Sequence, residues 1–282
     1  MKIAVASGKG GTGKTSIAIS LALAACSDSL WLLDCDVEAP NLHFFLPTAS
    51  PQIESVGISM PKVEKTLCNG CDLCTQHCEY KAIATFNKKA VVFPDLCHAC
   101  GLCSYICPEK AITEYNHPIG TLRQSTIGHI RLVQGCLDIG SSLSVPIIKK
   151  VKEKALASSA LVIVDCPPGT SCTMIHSVKD TEAVVLVSDS TPFGLHDLKL
   201  ALSTLKSFYS GYISVIINRY DQKHDQTEAY CQEENLPVLL KIPDDQDIAR
   251  AYARGVPMVQ VKASYHDDFK ILLDKLIRKV KS

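Results

Sequence analysis

Six short apolar runs punctuate the chain: KIAVAS (2–7), LWLLDCD (30–36), ALVIVDC (160–166), AVVLVSD (183–189), YISVIIN (212–218) and PVLLKIP (237–243). Their hydrophobic positions are nearly continuous instead of alternating with polar ones, which is how a strand looks when helices cover both of its faces. Helical segments, 14–26, 194–208 and 245–255, lie among them. Strand, helix, strand in succession predicts an α/β protein with a doubly wound, mostly parallel sheet. In such a sheet ligands gather beyond the carboxyl ends of the strands, which here carry Ser7, Asp34, Asp36, Asp165, Asn218 and Asp244. At the C-terminal end, residues 267–282 place Phe269, Leu272, Leu273, Leu276 and Val280 on one helical face, while acidic residues interrupt the polar face. That pattern predicts packing on the core over binding to a membrane surface.

The rhythm stops between Pro61 and Thr113. Sheet-forming runs lie on both sides, so the expected organisation is a discontinuous main domain, residues 1–60 and 114–282, with 61–113 inserted as a small separate domain. The two halves of the insert, CNGCDLCTQHCEYKAI (68–83) and CHACGLCSYICPEKAI (97–112), repeat one another. Cys68, Cys71, Cys74 and Cys78, and again Cys97, Cys100, Cys103 and Cys107, follow CxxCxxCxxxC. Three thiolates at two-residue gaps can wrap three irons of one cubane, while the fourth, just beyond, points away to another cluster. The spacing therefore assigns Cys68, Cys71, Cys74 and Cys107 to one [4Fe–4S] cluster, and Cys97, Cys100, Cys103 and Cys78 to a second. Zinc sites also use CxxC, but they have no need of a third cysteine at the next two-residue gap. One departure stands out: Cys78 is followed by Glu79, where Cys107 is followed by Pro108.

Composition narrows the classes of partner. With 46% hydrophobic and 21% charged residues there is ample material for a core, and disorder is excluded. Lys+Arg and Asp+Glu both number 29, so no bulk positive field exists to attract nucleic acid or an anionic membrane. No apolar run approaches a membrane span, and Ile3–Ala6 is too short for a signal-peptide core. A cytoplasmic location with reduced thiols is expected, so the 14 cysteines point to metal and not to disulfides. Cys26, Cys35 and Cys231 lie in apolar or helical settings and are expected in the core. His43, His98, His117 and His129 are scattered without ligand-like spacing.

In SGKGGTGKTS (7–16), Gly8, Gly13, Lys14 and Thr15 fit GxxxxGK[ST] after one predicted strand and at the start of a helix. Gly8, Gly10, Gly11 and Gly13 let the backbone N–H groups of the loop, through Thr12 to Thr15 and Ser16, turn onto phosphate oxygens. The helix N-terminus adds its dipole, Lys14 reaches the terminal phosphates and Thr15 can ligate Mg²⁺.

With its second lysine, Lys9, the stretch KGGTGKT resembles the deviant Walker A motif of the MinD/ParA-type ATPases. That resemblance implies that Lys9 reaches the nucleotide of the partner subunit in an ATP-sandwiched homodimer. LLDCDVEAPNL (32–42) is similar to the family's second motif, which implies Asp34 near Mg²⁺ and Asp36 orienting the attacking water. VIVDCPPGTSC (162–172) resembles the Walker B strand and second switch, with Asp165 contacting Mg²⁺ through water and Gly169 sensing the γ-phosphate. INR (217–219) matches the adenine-reading position, Asn218 beside Arg219, and IPDDQDIARAYARGVPMV (242–259), with Pro243 and Asp244, matches the segment closing over the base.

Together the pieces resemble MinD-superfamily P-loop ATPases with an inserted bacterial-type ferredoxin domain of α+β class, relatives of the Mrp-type iron–sulfur carrier ATPases and, more distantly, of the nitrogenase iron protein. The resemblance implies ATP binding with Mg²⁺, slow hydrolysis, dimerisation, and two [4Fe–4S] clusters that pass electrons to a redox partner or serve an iron–sulfur client protein. Two alternatives stand beside it: an electron carrier whose docking is nucleotide-regulated, and a positioning switch with structural clusters. Against the second, eight cluster ligands exceed what stapling one loop requires. Cys172 falls roughly where the nitrogenase iron protein keeps a ligand for its intersubunit cluster, and with Cys136 it is a candidate for an additional site.

Overall fold

The computed structural model describes residues 1–48, 50–221 and 226–281. Strand β1 (Lys2–Ala6) leads through helix α1 (Lys14–Ala24) to β2 (Leu30–Asp34) and a single helical turn, α2 (Leu42–Phe45). Strand β3 (Gln52–Val63) runs out to the cysteine-rich segment, which holds α3 (Leu73–Gln76), the hairpin of β4 (Ile83–Phe86) and β5 (Lys89–Val92), and α4 (Leu102–Tyr105). The chain returns along β6 (Ile112–Ile127) and continues through β7 (Ile130–Leu137), α5 (Ser144–Glu153), β8 (Leu161–Asp165), α6 (Cys172–Val178) and β9 (Ala183–Asp189). It closes with α7 (Pro192–Lys206), β10 (Tyr212–Tyr220), α8 (Gln226–Glu233), β11 (Val238–Pro243), α9 (Gln246–Tyr252) and α10 (Ala263–Lys281).

All six apolar runs form strands of one nine-stranded sheet, ordered β11-β10-β9-β1-β8-β2-β7-β6-β3. From β11 to β7 every neighbouring pair is parallel. The carboxyl ends of these strands therefore share one edge, as expected. Side chains alternate between the faces: Ile3 and Val5 join α1 and α10 in one buried layer, while Ala4 and Ala6 join α5, α6 and α7 in the other. β9 is buried along its whole length, which accounts for its unbroken apolar sequence.

Three strands carry no such signal. β3 and β6 form a long antiparallel ribbon, mostly exposed in its outer part, with Pro61, Pro118 and a register shift between Val56 and Gly57 breaking any alternation. Backbone pairing and a few irregularly spaced buried residues, Val56, Met60, Ile119 and Leu122, hold this ribbon together, so its hydrophobic pattern is weak. β7 joins the ribbon to the parallel sheet, antiparallel to β6 and parallel to β2. Val63 pairs with Ile112 at the tip of the ribbon, and residues 64–111 lie beyond that pair, within the 61–113 expected from sequence as a separate domain. There Cys74, Ile83 and Ala90, with Ile112 at the start of β6, form a small apolar core of their own.

The C-terminal helix packs as its pattern predicts. Phe269, Leu272, Leu273 and Leu276 are buried in the α1 layer, and no described helix is long and apolar enough to cross a membrane. Cys35 and Cys231 are buried as expected; Cys26, past the end of α1, is exposed, because the helix stops at Ala24 and no element covers the next turn. Phe269 has no exposed surface. Phe269→Ala should lower the unfolding free energy by about 3–5 kcal/mol in denaturant titration, and a loss under about 1 kcal/mol would show that α10 is not part of the core.

Candidate functional site

The turn from β1 into α1 forms the loop. Gly13 takes φ 91° directly before the helix, and a Cβ there would lie 2.3 Å from the side-chain nitrogen of Asn218. Only glycine meets both demands. Gly11 also has positive φ, 78°, and at Gly10 and Gly11 an added Cβ would meet nothing, so the loop opens outward there. At Gly8 the crowding comes from the Asp197 backbone on α7. Thr12 is buried, and its Oγ1 is one of two buried side-chain polar atoms without a hydrogen-bond partner among the described residues; the other is Asn41 Oδ1. A buried orphan acceptor or donor is costly in a finished core and ordinary where a polar ligand belongs.

Asp165 ends β8 with no exposure and holds the far side of the loop: Lys14 Nζ donates to Oδ1 at 2.8 Å and Thr15 Oγ1 donates to Oδ2 at 2.7 Å. Asp34, equally buried, stands beside it in register on β2. Burial, followed by the neighbouring Asp165 charge, pushes Asp34 up to about 7. Asp36 is pushed up to about 6 mainly by burial; Lys14 opposes the shift, and Asp165 and Glu38 reinforce it. For Lys14, burial favours a lower value, but the carboxylates of Asp165 and Asp36 outweigh it and the ammonium is held above its ordinary value. A buried cation facing several acids forms a site whose charge balance shifts when an anion or a divalent metal arrives.

Asp34 serves the polypeptide itself in this state. Its carboxylate accepts the backbone N–H groups of Asp36 (3.2 Å), Asn41 (3.2 Å) and Leu42 (3.3 Å), and the Gln134 side-chain amide at 3.0 Å. It thereby folds residues 36–42 into a loop over the strand ends. Gly169, at φ 92°, donates its N–H to Ser7 O at 3.0 Å, which docks the second switch on the first turn of the phosphate loop. Asn218 donates to Thr12 O at 2.8 Å, so its amide nitrogen braces the loop. Arg219 is exposed at φ 50°, Pro243 and Asp244 are exposed at the end of β11, and Ser16 is half-buried in the first turn of α1.

Lys9 brings in a residue that sequence reasoning missed. Its Nζ lies 3.1 Å from Asp189 Oδ2, at the end of β9, so the second lysine is paired within its own chain. Asp189 is held below the usual carboxylate range: burial opposes this, and Thr191 and Lys9 prevail. The signal was present as one more carboxylate ending an apolar run. Gln134 was also missed, because β7 carried no strand signal.

In the insert the two halves fold alike. Asp72 (φ 68°) and Gly101 (φ 75°) precede α3 and α4; Lys81 (φ 53°) and Lys110 (φ 49°) follow the fourth cysteine of each run. Ala82 N–H donates to Cys78 Sγ and Ala111 N–H to Cys107 Sγ, each at 3.3 Å. Ala99 N–H reaches Cys97 Sγ at 3.4 Å and Ala90 N–H reaches Cys68 Sγ at 3.5 Å. Two cavities result. Cys68, Cys71, Cys74 and Cys107 line one, and Cys78, Cys97, Cys100 and Cys103 line the other, with Cys74 on the wall between them. Among the described residues no three His, Cys, Asp or Glu side chains are close enough to grip a single metal ion. Cys172 is exposed at the start of α6 and Cys136 half-buried on β7, and no disulfide joins them.

A strand–loop–helix whose lysine and threonine converge on a buried carboxylate at the edge of a parallel sheet defines a P-loop nucleotide-binding protein. The chain belongs to the CobQ/CobB/MinD/ParA nucleotide binding domain family, which matches residues 3–258. An uncharacterized protein of Methanocaldococcus jannaschii is 32% identical over 98% of this chain and 96% of its own length. The iron–sulfur cluster carrier protein of Methanococcus maripaludis is 23% identical over 99% of this chain and 85% of its own. Among solved structures, the septum site-determining protein MinD of Pyrococcus horikoshii, in complex with Mg-ADP, superimposes with a TM-score of 0.59 at 19% identity, covering 98% of this chain and 95% of that one.

Asp34 and Asp36 bind protons more tightly folded than unfolded, so between about pH 4 and 7 the native chain carries more protons and stability falls as pH rises. Wild-type minus Asp34→Asn unfolding free energies, measured without nucleotide, should decline across that window by about 1 kcal/mol per pH unit at the steepest. A flat difference would mean that Asp34 titrates at its ordinary value.

Proposed function

We propose that this protein is an ATP-hydrolysing switch, active as an ATP-dependent homodimer, which couples its nucleotide state to two [4Fe–4S] clusters in the insert and through them to electron transfer or cluster delivery. The observation that supports this reading is that one sheet carries both the phosphate loop and the cysteine-lined cavities. Lys14, Thr15 and Asp165 converge at the phosphate loop, and eight cysteines line two cavities at the end of a ribbon that extends the same sheet.

At the nucleotide end, the N–H groups of residues 8–16 and Thr12 Oγ1 receive phosphate oxygens, and Lys14 supplies positive charge against the terminal phosphates. Thr15 and Asp165, already in contact, are the groups to hold Mg²⁺ and its water; Asp34 is close behind them. Asp36 orients the attacking water, and an Asp pushed up to about 6 is a better proton acceptor near neutral pH than an ordinary one. Lys9 leaves Asp189 to reach the nucleotide of a second copy, as the deviant Walker A resemblance implies. Asn218 and Arg219, with Pro243 and Asp244, border the base.

At the other end, four thiols around each cavity, with backbone N–H groups on Cys68, Cys78, Cys97 and Cys107, fit the donor set of a [4Fe–4S] centre, since such hydrogen bonds stabilise thiolates and tune potential. The clusters supply one-electron chemistry when bound. Likeness to an iron–sulfur cluster carrier protein supports this reading, and the balanced charge of the chain gives it no track on nucleic acid or an anionic membrane.

Anaerobically purified protein should contain iron and sulfide for two clusters. Cys107→Ser should remove the centre shared with Cys68, and Cys78→Ser the centre shared with Cys97, each reading out as about half the iron. Apoprotein that takes up no iron on reconstitution would end the cluster half of the proposal. For the nucleotide half, Asp36→Ala should reduce ATP turnover by about 100-fold or more while retaining bound ATP, whereas Lys14→Ala should abolish binding. Equal turnover with oxidised and reduced clusters would refute the coupling.

A further inference from the structure

The path between the two ends of the molecule can be followed residue by residue. Gln134 lies on β7, almost fully buried, in register with Asp34 of β2 on one side and with Arg123 of β6 on the other. Its Nε2 donates to Asp34 Oδ2 at 3.0 Å and lies 3.3 Å from His43 Nδ1. Among the described residues it is the side chain from outside residues 36–42 that bonds Asp34, and Asp34 in turn holds the N–H groups of Asp36, Asn41 and Leu42.

The rest of the loop is fastened to the same strand and to the start of α5. Leu137 N–H donates to Val37 O at 2.8 Å, Ser144 Oγ donates to Glu38 Oε1 at 2.7 Å, and Gly135 lies so close under Val37 that a Cβ would fall 2.6 Å from Val37 Cγ1. From β7 the chain of contacts passes directly to the ribbon: β6 pairs with β7 from Gly120 to Ile127, and Asp138 N–H donates to Ile119 O at 2.9 Å. β6 begins at Ile112, five residues after Cys107, and β3 ends at Val63, five residues before Cys68.

We infer that Gln134 is a positioning residue that makes the loop carrying Asp36 and the ribbon carrying the cysteine-rich insert move together. The inference rests on nucleotide binding at Lys14, as proposed above. A buried amide that is the outside tie to a buried carboxylate cannot be stretched without leaving both unpaired, so a shift of Asp34 is passed to β7 instead of being absorbed. Nucleotide arriving at Thr15 and Asp165, beside Asp34, therefore reaches the insert by way of β7, and Gln134 is the side chain that ties the Asp34 carboxylate itself to that strand. Two backbone and hydroxyl contacts farther along the loop steady it without touching Asp34.

Hydrogen exchange on the full chain tests this, with and without a non-hydrolysable ATP analogue and Mg²⁺. In the wild type, the analogue should slow exchange in residues 36–42 and also in 112–127 and 130–137. Gln134→Met keeps the volume and removes the donor; its response in 36–42 should persist while the response in 112–127 is lost. A ribbon response undiminished in that variant, or absent from the wild type while 36–42 responds, overturns the inference. No response at 36–42 in the wild type overturns the nucleotide reading instead. Should Gln134→Met melt far below the wild type, Gln134→Leu, which also lacks the donor, replaces it with the same expected loss.

Discussion

A carboxylate with no exposed surface cannot stand alone in a protein interior, and Asp165 does not: it is met by the ammonium of Lys14 and the hydroxyl of Thr15. Those two contacts pin the phosphate loop to the neighbouring strand and hold the first turn of α1 against the sheet. Asp34 must share the same dry space, so it retains a proton to higher pH and spends its lone pairs on the backbone of the following loop. The parallel sheet makes this crowding possible by ending β1, β2 and β8 along one edge.

Charge therefore stands ready at that edge before any ligand is present. Each acid there has a partner from the chain: Asp165 has Lys14, Asp34 has Gln134 and the loop N–H groups, and Asp189 has Lys9. Nucleotide and metal would compete with these internal partners, so every binding event must rearrange a contact that already holds a loop. Rearrangement at the edge is how a rigid sheet can report what it has bound.

The insert uses a different economy. Its own apolar core is small, and short turns with left-handed residues at matching places in both halves build its shape. Mounting it on a two-stranded ribbon sets it apart from the main layers, while β6 and β7 keep it hydrogen-bonded to the strand next to Asp34.

The sequence by itself determined six strands of the parallel sheet and the phosphate loop, because each is a local pattern, an unbroken apolar run or a glycine spacing; the repeated CxxCxxCxxxC is legible in the same way. Adjacent residues carry those signals, and a short window suffices to read them. Only the tertiary structure decided that Lys9 rests on Asp189, that Asn218 braces Thr12, and that Asp34 looks to Gln134 across the sheet. These pairs are separated by roughly a hundred residues or more, and they meet because strand order places their elements side by side. The ribbon stayed hidden for a related reason. Its strands mix exposed and buried positions irregularly around a bulge and two prolines, so no regular period was written into their side chains.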